Sequence, residues 1–242
     1  MKNNRDSCYL ILLESATDSC SVALANGEDL VDEKYLNIPK IHDKMMASLV
    51  ERILKENHLS VSDCKAVAIS GGPGSYMGLR ISSSIAKGLA YGASINLISV
   101  NTLSVIAQCA VDNHFITDQE KIVVMLDAGR MEVYCATYDL ELNQLSRTNS
   151  LILTPESFAK ELSKEKILFT GNGIAKFEKI LRGEKGYENA TFKEQLPHAS
   201  GIRREAFKAV KNSKYESIAY YEPFYLKDFI PGKPKKLLLK ES

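Results

Sequence analysis

Ser70-Gly71-Gly72-Pro73-Gly74-Ser75 is the stretch of this chain best suited to chemistry. It follows a compact apolar run, Ala66 to Ile69, and precedes a proline-free stretch from Ile81 to Tyr91, so it reads as strand, glycine loop, helix. Backbone N–H groups at such a helix start can hold a phosphate or another anion, which makes Gly72, Gly74 and Ser75 candidates for an anion loop. The competing reading is architectural: the loop sets the direction of the helix that follows. Two acids also stand at strand ends, Glu14 after Tyr9–Leu13 and Asp127 after Ile122–Leu126. They are candidates for a metal-facing pair and, equally, for turn caps.

Other chemistries find less support. No Gly-Lys-Ser/Thr follows the loop, so it is not a P-loop. Ser75 lacks the G-x-S-x-G setting and a histidine to activate it, and an N-cap role explains it better. The four histidines, His42, His58, His114 and His198, are scattered, with no H-E-x-x-H and no pair at helical spacing. Neither a metal site nor a catalytic residue is expected. A bare helix N-terminus contributes about 0.3–1 kcal/mol to a nearby anion, whereas micromolar affinity needs about 8 kcal/mol. With no glycine in Ser15-Ala16-Thr17 for close phosphate approach, at most weak, vestigial ATP or ADP binding is expected.

The elements that must position these residues follow from periodicity. Tyr9–Leu13, Cys20–Ala25 and Leu30–Tyr35 read as a strand meander with its first turn at Asn26-Gly27. Between Asp43 and Asn57, Met45, Met46, Leu49, Val50, Ile53 and Leu54 draw one apolar stripe down a helix. Ala66–Ile69, Ile95–Val100 and a helix over Thr102–Val111 complete a mixed sheet with crossovers. The pattern then restarts: Ile122–Leu126 and Val133–Tyr138 repeat the opening hairpin, and Ile167–Thr170 followed by Gly171-Asn172-Gly173 echoes the glycine loop. Thr154-Pro155-Glu156-Ser157 has the composition of a helix start. The expected class is α/β, with a duplicated ribonuclease H-like (actin-like ATPase) fold. The halves span 7–111 and 120–227, the C-terminal helix of the second being free to pack back on the first, and a Lys-rich tail spans 228–242.

Composition bounds the rest. At 242 residues, 45% hydrophobic and 25% charged, the chain is an ordinary globular one. Its net charge of +1 argues against a general nucleic-acid sponge. Basic residues concentrate near the end, at Lys227, Lys233, Lys235, Lys236 and Lys240, where a solvated terminus is preferred over an RNA-binding arm. The five cysteines form no CxxC pair and suit a reducing compartment. No apolar run approaches the ~20 residues of a membrane span. A cytoplasmic protein is expected.

Gly72-Pro73-Gly74-Ser75-Tyr76-Met77-Gly78-Leu79-Arg80-Ile81, followed by Ala86-Lys87-Gly88-Leu89-Ala90, closely resembles the glycine block of the bacterial TsaB (YeaZ) family. The hairpins Leu13-Glu14-Ser15-Ala16-Thr17 with Cys20–Leu24, and Asp127-Ala128-Gly129-Arg130 with Glu132-Val133-Tyr134, are similar to that family's two hairpins. Pro223-Phe224-Tyr225-Leu226-Lys227 looks like its C-terminal element, so the resemblance runs from residue 9 to 227. Two departures stand out: Glu14 where Asp is common, and Met77 where Thr is usual.

The resemblance implies a non-catalytic subunit. Such proteins support a larger catalytic relative, TsaD, and with an ATPase subunit, TsaE, install threonylcarbamoyl on the adenosine beside the anticodon of tRNAs reading ANN codons. It also implies a homodimer in isolation and tRNA contact made indirectly through the complex, with no peptidase activity. The family's interface uses the two helices of the first half. Carried onto this chain, that interface is Met45, Met46, Leu49, Val50 and Ile53 on one helix, and Gly78, Ser82, Ile85, Ala86 and Leu89 on the next. Gly78, Ser82, Ala86 and Ala90 recur every four residues, a column that would let a partner helix approach closely. On this reading Ser82→Arg or Ala86→Arg leaves the fold intact and abolishes partner binding. The alternative is a stand-alone actin-like ATPase or small-molecule kinase.

Overall fold

The computed structural model describes residues 7–36 and 42–226, with the backbone alone at 42–44. The Lys-rich tail, Lys227 of the C-terminal element and the side chain of His42 lie outside the described residues. The first half runs β1 (Tyr9–Glu14), β2 (Cys20–Asn26), β3 (Asp29–Leu36), α1 (His42–Glu56), β4 (Cys64–Ser70), α2 (Tyr76–Ala93), β5 (Asn96–Val100) and α3 (Thr102–Asp112). The second repeats that order as β6 (Lys121–Asp127), β7 (Glu132–Tyr138), β8 (Asn149–Ile152), α4 (Ala159–Leu162), β9 (Ile167–Thr170), α5 (Ile174–Leu181), β10 (Ala190–Lys193) and α6 (Arg203–Lys211).

Each half folds into a five-stranded mixed sheet of the same topology, β3-β2-β1-β4-β5 and β8-β7-β6-β9-β10. In both, the first strand pairs antiparallel with its hairpin partner and parallel with the strand that precedes the glycine-rich turn. The fold is the duplicated α/β architecture that the restarting pattern implied. β1 and β6 are central strands covered on both faces, which is why their sequences read as continuous apolar runs rather than alternating ones.

The helices distribute over both sheets. Met46, Ile53, Ala86 and Ala90 of α1 and α2 pack with Ile11, Leu13, Val22 and Val67 on one face of the first sheet. On its other face, Leu10, Ala23, Ala66 and Ile98 meet Ala199, Ile202 and Ala206, so α6 of the second half covers the sheet of the first. Conversely, Leu103, Ile106, Ala107 and Ala110 of α3 pack on Ile122, Val124, Tyr138 and Leu168 of the second sheet. α3 also turns Val105 and Cys109 toward the α6 layer, and this double duty explains its nearly all-apolar sequence. Arg203 ties the exchange together: its guanidinium donates bidentately to Asp112 at 2.7 and 2.8 Å.

One expectation is corrected. Residues 154–157 form a turn, closed by Ser157 N–H donating to the Thr154 carbonyl, and α4 starts only at Ala159 and lasts four residues. The reason is Phe158, held at φ 62° while its ring packs edge-on against Phe169 and Phe177. Aromatic burial outweighs the local helix signal. β8, α5 and β10 are short elements that the sequence reading left out, although Ile174, Phe177 and Leu181 recur along α5 at helical spacing and are buried together.

Candidate functional site

The glycine loop is built against the first hairpin. Ser75 N–H donates to the Ala16 carbonyl at 2.7 Å, and a Cβ added to Gly74 would stand 2.6 Å from that same oxygen. Farther along, a Cβ on Gly78 would stand 1.9 Å from the carbonyl oxygen of Ser15, whose Oγ donates back to the Gly78 carbonyl at 2.8 Å. These glycines are required because backbone meets backbone without room for a side chain. Gly78 N–H donates to Ser75 Oγ at 3.3 Å, so Ser75 is the N-cap of α2. No histidine is hydrogen-bonded to it among the described residues.

The start of the loop serves a different neighbour. Phe224 N–H donates to the Gly71 carbonyl at 2.7 Å, and a Cβ on Gly72 would lie 2.4 Å from the Phe224 oxygen. The C-terminal segment thus lies over the loop, with Tyr221 Oη 3.0 Å from Ser99 Oγ and the Tyr225 ring 5.1 Å from that of Tyr76. Gly72 is therefore committed to this docking. Only Gly74 and Ser75 of the three anion-loop candidates border the cleft between the halves.

That cleft, of about 390 Å³, is lined by Ala16, Thr17, Gly74 and Ser75 on one side and Asp127, Ala128, Tyr134 and Asn172 on the other. The two strand-end acids do not converge in it. Glu14 is fully buried and does not line it; one carboxyl oxygen accepts the Ala16 N–H at 2.6 Å and the other accepts the Ser70 hydroxyl. Burial pushes its pKa up to about 8, against the pull of the N–H groups of Ala16 and Ser15. Asp127 makes the matching contact, accepting the Gly129 N–H at 2.6 Å, and the same oxygen pairs with Lys176 Nζ at 2.6 Å. Both acids cap their hairpin turns. No group of three His, Cys, Asp or Glu converges among the described residues. Lys176 carried no signal in the sequence, being 49 residues from Asp127 and adjacent only in the fold.

The small-residue column of α2 faces inward. Gly78, Ser82, Ala86 and Ala90 are all buried, the last three completely, and Ser82 Oγ donates back to its own helix. On α1, Met46, Leu49, Val50 and Ile53 are buried in the same core, while Met45 is half-buried. Ile85 and Leu89 are partly exposed at the margin of that core. An arginine at Ser82 or Ala86 would therefore enter the chain's own interior, and those two substitutions do not test a surface. The helix turns a second column outward instead: Ser84, Gly88 and Gly92 are exposed, flanked by Met77 (64% exposed) and Tyr91 (82%). A Cβ added at Gly88 or Gly92 would meet nothing within 4 Å among the described residues. This column was present in the sequence at the same four-residue spacing, overshadowed by the longer one.

A family model described as TsaD, tRNA N6-adenosine threonylcarbamoyltransferase, matches residues 38–229. The tRNA threonylcarbamoyladenosine biosynthesis protein TsaB of Escherichia coli is 30% identical over 229 residues, covering 93% of this chain and 96% of that protein. The chain belongs to the TsaB (YeaZ) family. The TsaB protein of Haemophilus influenzae is 27% identical over 241 residues, covering 93% of this chain and 95% of its own length. A crystal structure from Pseudomonas aeruginosa, described as an uncharacterized protein with similarity to peptidase YEAZ, superposes with a TM-score of 0.78. It is 24% identical and covers 91% of this chain and all of that one, a likeness of fold. Within the TsaB family pattern, the Glu14 departure is absorbed as a buried turn cap, and Met77 adds apolar surface to the outer face of α2. Among the described residues no helix is long and apolar enough to cross a membrane.

Proposed function

We propose that this chain is a non-catalytic subunit in tRNA threonylcarbamoyladenosine biosynthesis, acting in the cytoplasm. It supports a larger TsaD-like transferase by docking the outer face of α2 on it. The observation that carries the reading is Gly88. Glycine inside a helix costs about 1 kcal/mol relative to alanine, and nothing among the described residues requires it there, since an added Cβ meets none of their atoms within 4 Å. The cost is recovered if another helix packs closely against Ser84, Gly88 and Gly92, with Ile81, Ile85, Met77 and Tyr91 as apolar flanks. Met45 and the partly exposed edge of Leu89 widen that surface. In isolation the same face would bring two copies together as a homodimer, and a TsaE-like ATPase would join the assembled pair.

Support for a non-catalytic role comes from the cleft. The loop N–H of Ser75 is spent on Ala16, Glu14 is enclosed, and Asp127 is neutralised by Lys176. The test is co-elution with the transferase subunit. Ser84→Arg and Gly88→Arg, placed on exposed positions, should fold normally by circular dichroism and lose co-elution together with support of tRNA modification. If the folded variants still co-elute, the face is misassigned.

A further inference from the structure

A polar groove shares no lining residue with the cleft or with the outer face of α2. One part, of about 550 Å³, runs between β5, the start of α3 and α6, and a second, of about 490 Å³, continues it toward the C-terminal segment. Asn101 and Gln144 line both parts and make them continuous. Arg147 and Lys214 stand along it, and neither has a carboxylate partner among the described residues, whereas Lys208 is drawn toward Glu205 at 3.5 Å. Tyr215 (39% exposed) and Phe224 (47%) present ring surface in the two parts.

Among the described residues, two cations outside any ion pair, exposed rings and walls of amides and hydroxyls, with Glu216 the groove's one carboxylate outside an ion pair, match a ligand with phosphates, flat bases and polar edges. An acidic peptide would use the cations and leave the rings idle. We propose that this groove is a contact surface for single-stranded or looped RNA, with Arg147 and Lys214 on phosphates and Phe224 and Tyr215 under unstacked bases. The choice of RNA rests on the reading of the chain as a tRNA-modification subunit. The contact would be made by this chain directly, beyond any made by its partners.

The test is fluorescence anisotropy of a labelled RNA stem-loop titrated with the full chain at several salt concentrations. Arg147→Gln with Lys214→Gln should weaken binding at least ~10-fold and lower the log–log salt slope by about 1.4, two contacts at ~0.7 each. Phe224→Ala should weaken it roughly 5- to 150-fold, the worth of one base–aromatic stack. Tyr215→Ala serves in its place if Phe224→Ala alters the circular dichroism. Absence of binding by the wild type, or unchanged binding in the charge and ring variants, overturns the proposal. Loss with the charge pair alone, with inorganic polyphosphate competing as well as RNA, overturns it in favour of a general polyanion surface. Groove variants should keep co-elution with the transferase subunit, and Gly88→Arg should keep RNA binding, so failure here is distinguishable from failure of the α2 interface.

Discussion

Ser15 and Gly78 are locked backbone to backbone: the Ser15 hydroxyl donates to the Gly78 carbonyl at 2.8 Å, and a Cβ on Gly78 would fall 1.9 Å from the Ser15 carbonyl oxygen. The first turn of α2 is thereby fastened to the tip of the β1–β2 hairpin. Gly78→Ala should destabilise the chain by about 2–3 kcal/mol, because neither backbone can retreat. Ser15→Ala should cost about 1 kcal/mol, one buried hydrogen bond. Urea unfolding midpoints measure both. A Gly78→Ala midpoint equal to wild type would mean the contact is looser than described.

Gly88 is the opposite case on the same helix. Gly88→Ala should raise stability by about 0.8–1 kcal/mol and at the same time weaken association with the transferase subunit. Ser82→Arg and Ala86→Arg, in contrast, should unfold the chain, since both positions are completely buried. Thermal melts combined with size-exclusion co-elution separate the three outcomes.

Glu14 makes stability fall with pH. Its folded pKa of about 8 lies above its ordinary 4.5, so the folded chain keeps a proton that the unfolded chain releases. The contribution is fully present below pH 4.5, is lost as pH rises from there through about 8, and changes no further above. The difference in unfolding free energy between wild type and Glu14→Gln should slope downward across that window, by up to about 1.4 kcal/mol per unit. A flat difference would show that Glu14 is ionised in the fold.

Asp127 decides the enzymatic alternative. With its carboxylate held by Lys176 and the Gly129 N–H, phosphate release from ATP with magnesium should stay at background and be the same in Asp127→Asn. Calorimetry should show no micromolar ATP binding. Turnover abolished by Asp127→Asn would restore the ATPase reading. The exposed pair itself should add no more than about 1 kcal/mol to stability.

Much of the fold was legible in the residues. β1, β4, β6 and β9 are central, doubly covered strands, and such strands appear as uninterrupted apolar runs. The repeat of acid, small residues and second strand at equal offsets marked the duplication, and Gly72 to Ala90 marked the family. Less legible was α4, where the signal at Thr154-Pro155 yielded to the burial of the Phe158 ring. The roles of Glu14 and Asp127 were open between metal site and turn cap. Only their actual partners, Ser70 and Ala16 in one case and Lys176 and Gly129 in the other, settle them as caps.

The α2 helix draws the boundary most clearly. Its existence, its start at a glycine loop and its richness in small residues follow from local sequence, because capping and periodicity act within a few residues. Which column faces outward does not. Gly78, Ser82, Ala86 and Ala90 recur every four residues, and so do Ser84, Gly88 and Gly92. A period carries no phase. The phase is set by where the hairpin, the sheet and α1 meet the helix, contacts between segments up to 60 or more residues apart, as with Ser15 and Gly78. The interior took the first column, and the second is what a partner can reach.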